Sequence, residues 1–391
     1  MPHQSLTRAL LLALLPTALS SSIIVSHFEG TVYSLALSDD ASELSVSSQV
    51  QLGGMPSWVT LDKETKTLYV TDESWFGSTK LSAWSVGEGA ALTAAGQAPT
   101  RGGELHCSLF GGADGKGFIA ASQYGGGSII TYSLPLTPSS TPLDTLKFTM
   151  SGPGPRPDRQ DAPHPHSTLS DPTGGYLLVP DLGADLVRIF AISASGKLTA
   201  CPAAAAPPGS GPRHAAFWGP ADATADTDIT ILYTVNEIAN SVTSWDVSYD
   251  SDCLTLTQKD TVSTFPAGET PRSGSKAAEI LVRDNFIYVS NRWDKTFGQT
   301  SDSIALFNIT SPQGDFEFVE LADSGANFPR TMDLNAKGDM LAVGGQTSSD
   351  VVVLERDVET GRLGGVLAKL QVGRLGREGE EDGLSGIAWS E

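Results

Sequence analysis

One ordered set of strand signatures returns seven times along the 391 residues, at intervals of roughly fifty. Each copy has an apolar strand ending in a polar cluster, a short loop, and then an alternating strand. The alternating strands are Thr31–Leu37, Leu81–Val86, Ser128–Leu134, Leu186–Ile192, Ser241–Val247, Ser303–Ile309 and Val351–Asp357. Before them stand Ile23–Ser26, Leu68–Asp72, Phe118–Ser122, Tyr176–Pro180, Leu232–Asn236, Ile287–Asn291 and Met340–Gly344. Earlier still comes an innermost strand, in six copies: Ser57–Leu61, His106–Phe110, His166–Ser170, Arg213–Phe217, Ala278–Val282 and Arg330–Leu334. The seventh innermost strand lies at the other end, Leu384–Ser390, and leaves Ile23 to begin directly at the next position. This pattern predicts an all-β chain folded as one seven-bladed β-propeller, its first blade closed by the C-terminal strand, which hides edges that would otherwise be unpaired. A β-sandwich also uses short strands and turns, but has no reason to repeat one signature seven times. The 41 glycines and 23 prolines, spread along the whole chain, suit many turns.

The first twenty residues differ from the rest. Arg8 precedes the apolar run Ala9–Leu15, then Pro16, with the small residues Ala18 and Ser20 where a signal peptidase cuts. We expect residues 1–20 to be a signal peptide, residues 21–391 a single propeller domain, and the protein to be secreted. No stretch reaches the about 20 apolar residues of a spanning helix. Cys201 and Cys253 occupy similar places in consecutive repeats and can bridge in an oxidising compartment, while Cys107, in an apolar strand, reads as a buried structural thiol. The sequon Asn308-Ile309-Thr310 makes the chain a candidate glycoprotein.

A formal charge of −20 argues against nucleic acid as a partner. It also makes convergent arginines informative, because an anion site must be built against the field of the protein itself. Innermost strands of a propeller line its axis, and their first residues are Ser57, His106, His166, Arg213, Glu279, Arg330 and Ser385. A second ring, at the ends of the following strands, holds Glu73, Tyr124, Asp181, Glu237, Arg292 and Gln346. Arginine forks grip carboxylate or phosphate, and His and Glu carry protons near neutrality, so this tunnel mouth predicts a small anionic substrate. His214, next to Arg213, is expected to turn into the blade as a hydrogen-bonded core residue, and Asp181 to cap a loop. The acidic run Glu378–Asp382 reads as a solvated loop. No calcium-loop or zinc spacing is present, so no metal is expected.

The segments "HPHSTLSDPTGGYLLVPDLGADLVRIF" (His164–Phe190), "GSGPRHAAF" (Gly209–Phe217), "YTVNEIANSVTSWDV" (Tyr233–Val247), "AAEILVRDNFIYVSNR" (Ala277–Arg292) and "FPRTMDLNAKGDMLAV" (Phe328–Val343) resemble the lactonase-type seven-bladed propellers. That family includes bacterial 6-phosphogluconolactonase and fungal carboxy-cis,cis-muconate cyclase. The resemblance implies a catalytic-type histidine at His166 or His164, with Arg213, Glu237 and Arg292 beside it. His164, His106, Glu279 and Arg330 are then expected as substrate contacts. It also implies that lactone and open polycarboxylate are interconverted by proton transfer, with no organic cofactor required. Gly54–Asp62 and Glu104–Phe110 depart from the family pattern, and Gly219–Asp228 enlarges a loop after the Arg213 strand. The competing expectation is a secreted binding or adhesion glycoprotein, in contact with a cell surface or extracellular matrix, that keeps the scaffold without the chemistry. A WD-type interaction scaffold ranks below both, since no repeated Trp-Asp signature occurs.

Overall fold

Alternation of apolar and polar residues gives each strand two faces, and four-stranded antiparallel sheets stacked around an axis bury both. The computed structural model describes residues 21–219, 228, 230–249, 252–380 and 382–391. The expected signal peptide lies outside the described residues, as does most of the Gly219–Asp228 loop.

Seven sheets are present. Their innermost strands are Leu384–Trp389, Pro56–Asp62, Glu104–Phe110, Leu169–Ser170, Pro212–Trp218, Lys276–Arg283 and Pro329–Leu334. The first sheet runs Leu384–Trp389, Ser22–His27, Thr31–Leu37, Leu44–Gln51 from axis to rim, so the two ends of the chain share one blade. The fourth blade departs from expectation. Only Leu169–Ser170 pairs as strand there, because Pro163 and Pro165 lack the N–H a ladder needs, and Pro165 makes an isolated bridge to Asp181.

The apolar core is segmented. Seven clusters of buried side chains each fill the gap between two neighbouring blades. Trp389 and Leu384, for instance, pack with Val351 and Val353 of the seventh blade. Cys107 is buried and its Sγ lies 3.4 Å from Thr60 Oγ1; burial pushes the thiol up to about 12, which makes it an inert thiol.

Cys201 and Cys253 are bridged, Cα to Cα 5.7 Å, tying the outer edges of the fourth and fifth blades across 52 residues of chain. Cys253→Ser is expected to lower the unfolding free energy by about 2–4 kcal/mol, measurable by denaturant titration. Asn308 of the sequon is half-buried in a strand paired on both sides.

The innermost strands carry one further shared feature. Near its start each holds an extra residue against its neighbour, a β-bulge. Arg213 sits between the pairs Pro212–Asn236 and His214–Val235, Arg330 between Pro329–Gly345 and Thr331–Gly344, and Leu105 between Glu104–Gln123 and His106–Ser122. The same count of one extra holds at Ser385, at Ser57 and Trp58, at Ala278 and Glu279, and at His166 between the Pro165 bridge and the Leu169 pair. A bulge breaks strict alternation, so two consecutive side chains turn to the axis. The chain therefore builds two stacked rings rather than one.

Candidate functional site

The outer ring, formed by the bulge residues, faces one mouth of the tunnel. His166, Leu105 and Arg330 line a cavity of about 240 Å³ there, joined by Glu73, Tyr124, Glu237, Arg292 and Gln346 from the ends of the second strands. Five of the six residues expected in that second ring are thus in place. The sixth, Asp181, caps its loop as expected: its carboxylate accepts from the His164 and Ala184 N–H groups and from Arg188 Nε at 2.8 Å.

Glu237 organises the floor. Its Oε2 accepts from Arg292 Nη2 at 2.8 Å and Arg213 Nε at 3.1 Å, and its Oε1 from Arg159 Nη2 at 2.6 Å. Burial alone would raise this carboxyl, but Arg292, Arg159 and Arg213 together hold it well below the usual range. It is a fixed anion at neutral pH and positions the three guanidiniums rather than carrying a proton. Arg213 is 1% exposed and lies beneath the cavity wall, with Nη1 on the Ala278 carbonyl at 2.8 Å. Burial and the neighbouring Arg292 and Arg330 press it down to about 9, still charged at neutrality.

Arg330 is different. Its guanidinium has Glu73 at 3.9 Å and the Phe28 ring beneath it, and makes no hydrogen bond among the described residues. Its donors are available to a ligand. Arg292 Nε is likewise without a partner. Lys276 and Arg159 complete a wall of four basic side chains, against the buried acids Glu73 and Glu237 and the rim residue Glu380. In a chain of charge −20 this is a locally cationic pocket.

His166 lines the same cavity, 5% exposed, and its Nδ1 has no hydrogen-bond partner among the described residues. Burial, then Arg213, push its pKa well below the usual imidazole value. The ring is neutral near pH 7, with a lone pair free to accept a proton or orient water.

The other sequence-derived candidates are placed elsewhere. His164 does not line the cavity: its Nδ1 is 3.0 Å from the Tyr124 carbonyl oxygen, its Nε2 2.9 Å from Asp161, and its ring stacks on Tyr124 at 4.3 Å. Of the two histidines, only His166 faces the pocket. His106, one residue past its bulge, and Glu279, the second residue of its bulge, belong to the inner ring and line a separate cavity toward the opposite mouth. His214 joins them instead of turning into the blade, its Nδ1 2.8 Å from Glu279 Oε1. The bulge explains all three corrections.

Two functional-looking residues escape a repeat-based reading. Arg159 comes from the loop between the Asp144–Lys147 strand and His164, where no repeat position exists; the buried Gln160 pins that loop through Nε2 to the Leu182 carbonyl at 3.0 Å. Lys276 stands two residues ahead of the inner strand as read from the sequence, Ala278–Val282, a position that its neighbours Ala277 and Ala278 would have flagged as basic among small residues. The end of the acidic run borders the pocket, with the Glu380 carbonyl accepting from Gln346 Nε2 at 3.1 Å.

Comparison with known proteins agrees with this architecture. The family described as "Lactonase, 7-bladed beta-propeller" matches residues 22–376. The "Probable 6-phosphogluconolactonase" of Arthroderma benhamiae is 33% identical over 312 residues, covering 79% of this chain and 75% of that protein. The 6-phosphogluconolactonase of Bacillus subtilis is 26% identical over 344 residues, with 85% and 89% covered. Among solved structures, the periplasmic gluconolactonase of Pseudomonas aeruginosa superposes with a TM-score of 0.77 at 22% identity, over 94% of this chain and 98% of that one, a likeness of fold. Repeat, ring closure and family match converge on one assignment: the chain belongs to the lactonase family of seven-bladed β-propellers.

Proposed function

We propose that the Arg330 cavity hydrolyses the lactone of a small anionic sugar acid. The observation that carries this reading is Arg330 itself, a buried guanidinium whose hydrogen-bonding capacity is unspent, set beside Arg292, Lys276 and a neutral His166. A cavity of 240 Å³ admits only a compact ligand. The 6-phosphogluconolactonases among its relatives support the reaction class.

In this mechanism the guanidiniums bind the anionic group and face the carbonyl oxygen as negative charge grows on it. Water adds to the lactone carbonyl carbon while His166 takes its proton. The ring C–O bond then breaks, the leaving oxygen takes up a proton, and the products are a carboxylate and a hydroxyl, with one proton released to solvent. Glu237 holds Arg159, Arg213 and Arg292 in place throughout.

The test is turnover of 6-phosphogluconolactone, unphosphorylated gluconolactone and carboxymuconolactone by the purified protein, each corrected for spontaneous hydrolysis. Arg330→Ala is expected to lower kcat/KM by about 10²–10³-fold. The acid limb of the wild-type profile should fall well below the ordinary histidine value, because His166 stays neutral there. Wild-type rates no faster than the Arg330→Ala protein on every substrate would remove the reading. Opening or closure of carboxymuconolactone alone would point to the cyclase branch of the family, whose polycarboxylates the same arginines can hold.

Export of the protein belongs to this reading. It is supported by the leader-like composition of residues 1–20 and by the Cys201–Cys253 bridge, which suits an oxidising compartment. Detection of the protein in culture medium with its N-terminus near Ser21 would confirm it, and retention inside cells with Met1 intact would refute it.

A further inference from the structure

The opposite mouth of the tunnel holds a cavity of about 390 Å³, larger than the first and within the range of small-molecule sites. Its floor is the inner ring: Trp58, His106, His214 and Glu279. Glu279 is 5% exposed; its Oε1 is 2.8 Å from His214 Nδ1, and its Oε2 has no hydrogen-bond partner among the described residues. Burial pushes the Glu279 carboxyl up to about 7, so Oε2 is an open acceptor when ionised and an O–H donor when protonated. A buried oxygen unpartnered in either form is costly unless something outside the protein supplies the contact.

His106 offers the complement. The Thr168 N–H donates to His106 Nδ1 at 3.3 Å, and burial keeps the ring neutral, so Nε2 carries the hydrogen and has no partner among the described residues. The cavity thus presents an acceptor and a donor on one floor. Half-buried Trp58, tilted against His106 at 4.4 Å, adds an indole wall, and Leu281, Met332 and Ile387 line the cavity too.

Charge narrows the class. An anion would meet two carboxyls, Glu279 and Asp333, in this cavity. A cation would meet the field of Arg213, Arg330 and Arg292, which act on Glu279 from behind the floor, and Lys63 at the wall. A hydroxyl group, uncharged and both donor and acceptor, suits Glu279 and His106 together, and the apolar face of a sugar ring suits an indole. We propose that this second cavity binds a neutral polyhydroxylated ring of monosaccharide size.

The experiment is calorimetric titration of the full-length protein with D-glucose, D-galactose, D-mannose, D-xylose and myo-inositol. At least one is expected to saturate in the millimolar range. Glu279→Gln, which can set an NH₂ where the open acceptor was, should weaken it by about tenfold. Trp58→Ala should abolish it. Absence of saturation by all five up to about 100 mM would overturn the proposal. So would an affinity untouched by Glu279→Gln. Should Trp58→Ala fail to fold, the isosteric Glu279→Gln decides alone. None of these outcomes depends on whether the first cavity turns over a lactone.

Discussion

A chain ending at Gly383 is expected not to hold a native fold. The lost segment is the innermost strand of the first blade, and all six residues of Leu384–Trp389 are buried. Without it the inner edge of Ser22–His27 has no partner, from the Ile23–Trp389 pair to the His27–Leu384 pair. Trp389 also leaves its hydrogen bond from Nε1 to the Asp333 carbonyl at 3.0 Å, and Ser385 its contacts with Ser26 and Pro56. A buried tryptophan alone contributes about 3–5 kcal/mol. A whole domain is stable by only about 5–15 kcal/mol, so losing the tryptophan, two further apolar anchors and a strand edge together exceeds what remains. Near-ultraviolet circular dichroism and limited proteolysis would show it. A cooperative thermal transition in the shortened chain would refute the idea that the ends lock the ring.

Glu237→Gln is expected to produce the second largest effect. The substitution keeps size and removes the charge shared by Arg159, Arg213 and Arg292, two of which are almost fully buried. Breaking a buried pair from one side costs about 3–5 kcal/mol, because the remaining charges stay desolvated. The pH dependence has a defined sign. The carboxyl is held below its unfolded value of 4.5, so its contribution is present above that value and is lost as pH falls through the folded one. The gap between wild type and variant should therefore be widest near neutrality and close toward acid. Catalytic turnover should also collapse, since Arg292 loses its anchor. Equal stability of the two proteins at pH 7 would show that Glu237 does not organise the floor.

The repeat made the ring and its closure legible, and the strands that carry alternation were located to within about one residue of their ends. Leu186–Ile192 and Ser303–Ile309 coincide with the observed strands. The outermost strands, such as Leu363–Gln371, left little signal, because most of their side chains are exposed and apolar spacing is not required. The site was legible wherever a residue sits at a repeat position: Glu237, Arg292, His166 and Arg330. It was misread where backbone irregularity decides direction. His106 and Glu279 align with His166 and Arg213 only if the strand alternates strictly, and the bulge breaks that assumption. Arg159 was invisible because a loop delivers it, and nothing in its local spacing announces a partner 78 residues away.

The shared bulge has an evolutionary corollary. Residues adjacent in the gene, such as 105 and 106, line cavities at opposite apertures of the same molecule. Selection can therefore edit what one aperture admits by changing a single codon while its neighbour preserves the other. A scaffold arranged in this way can diversify at each end separately, which is one physical route by which a common ring comes to host many specificities.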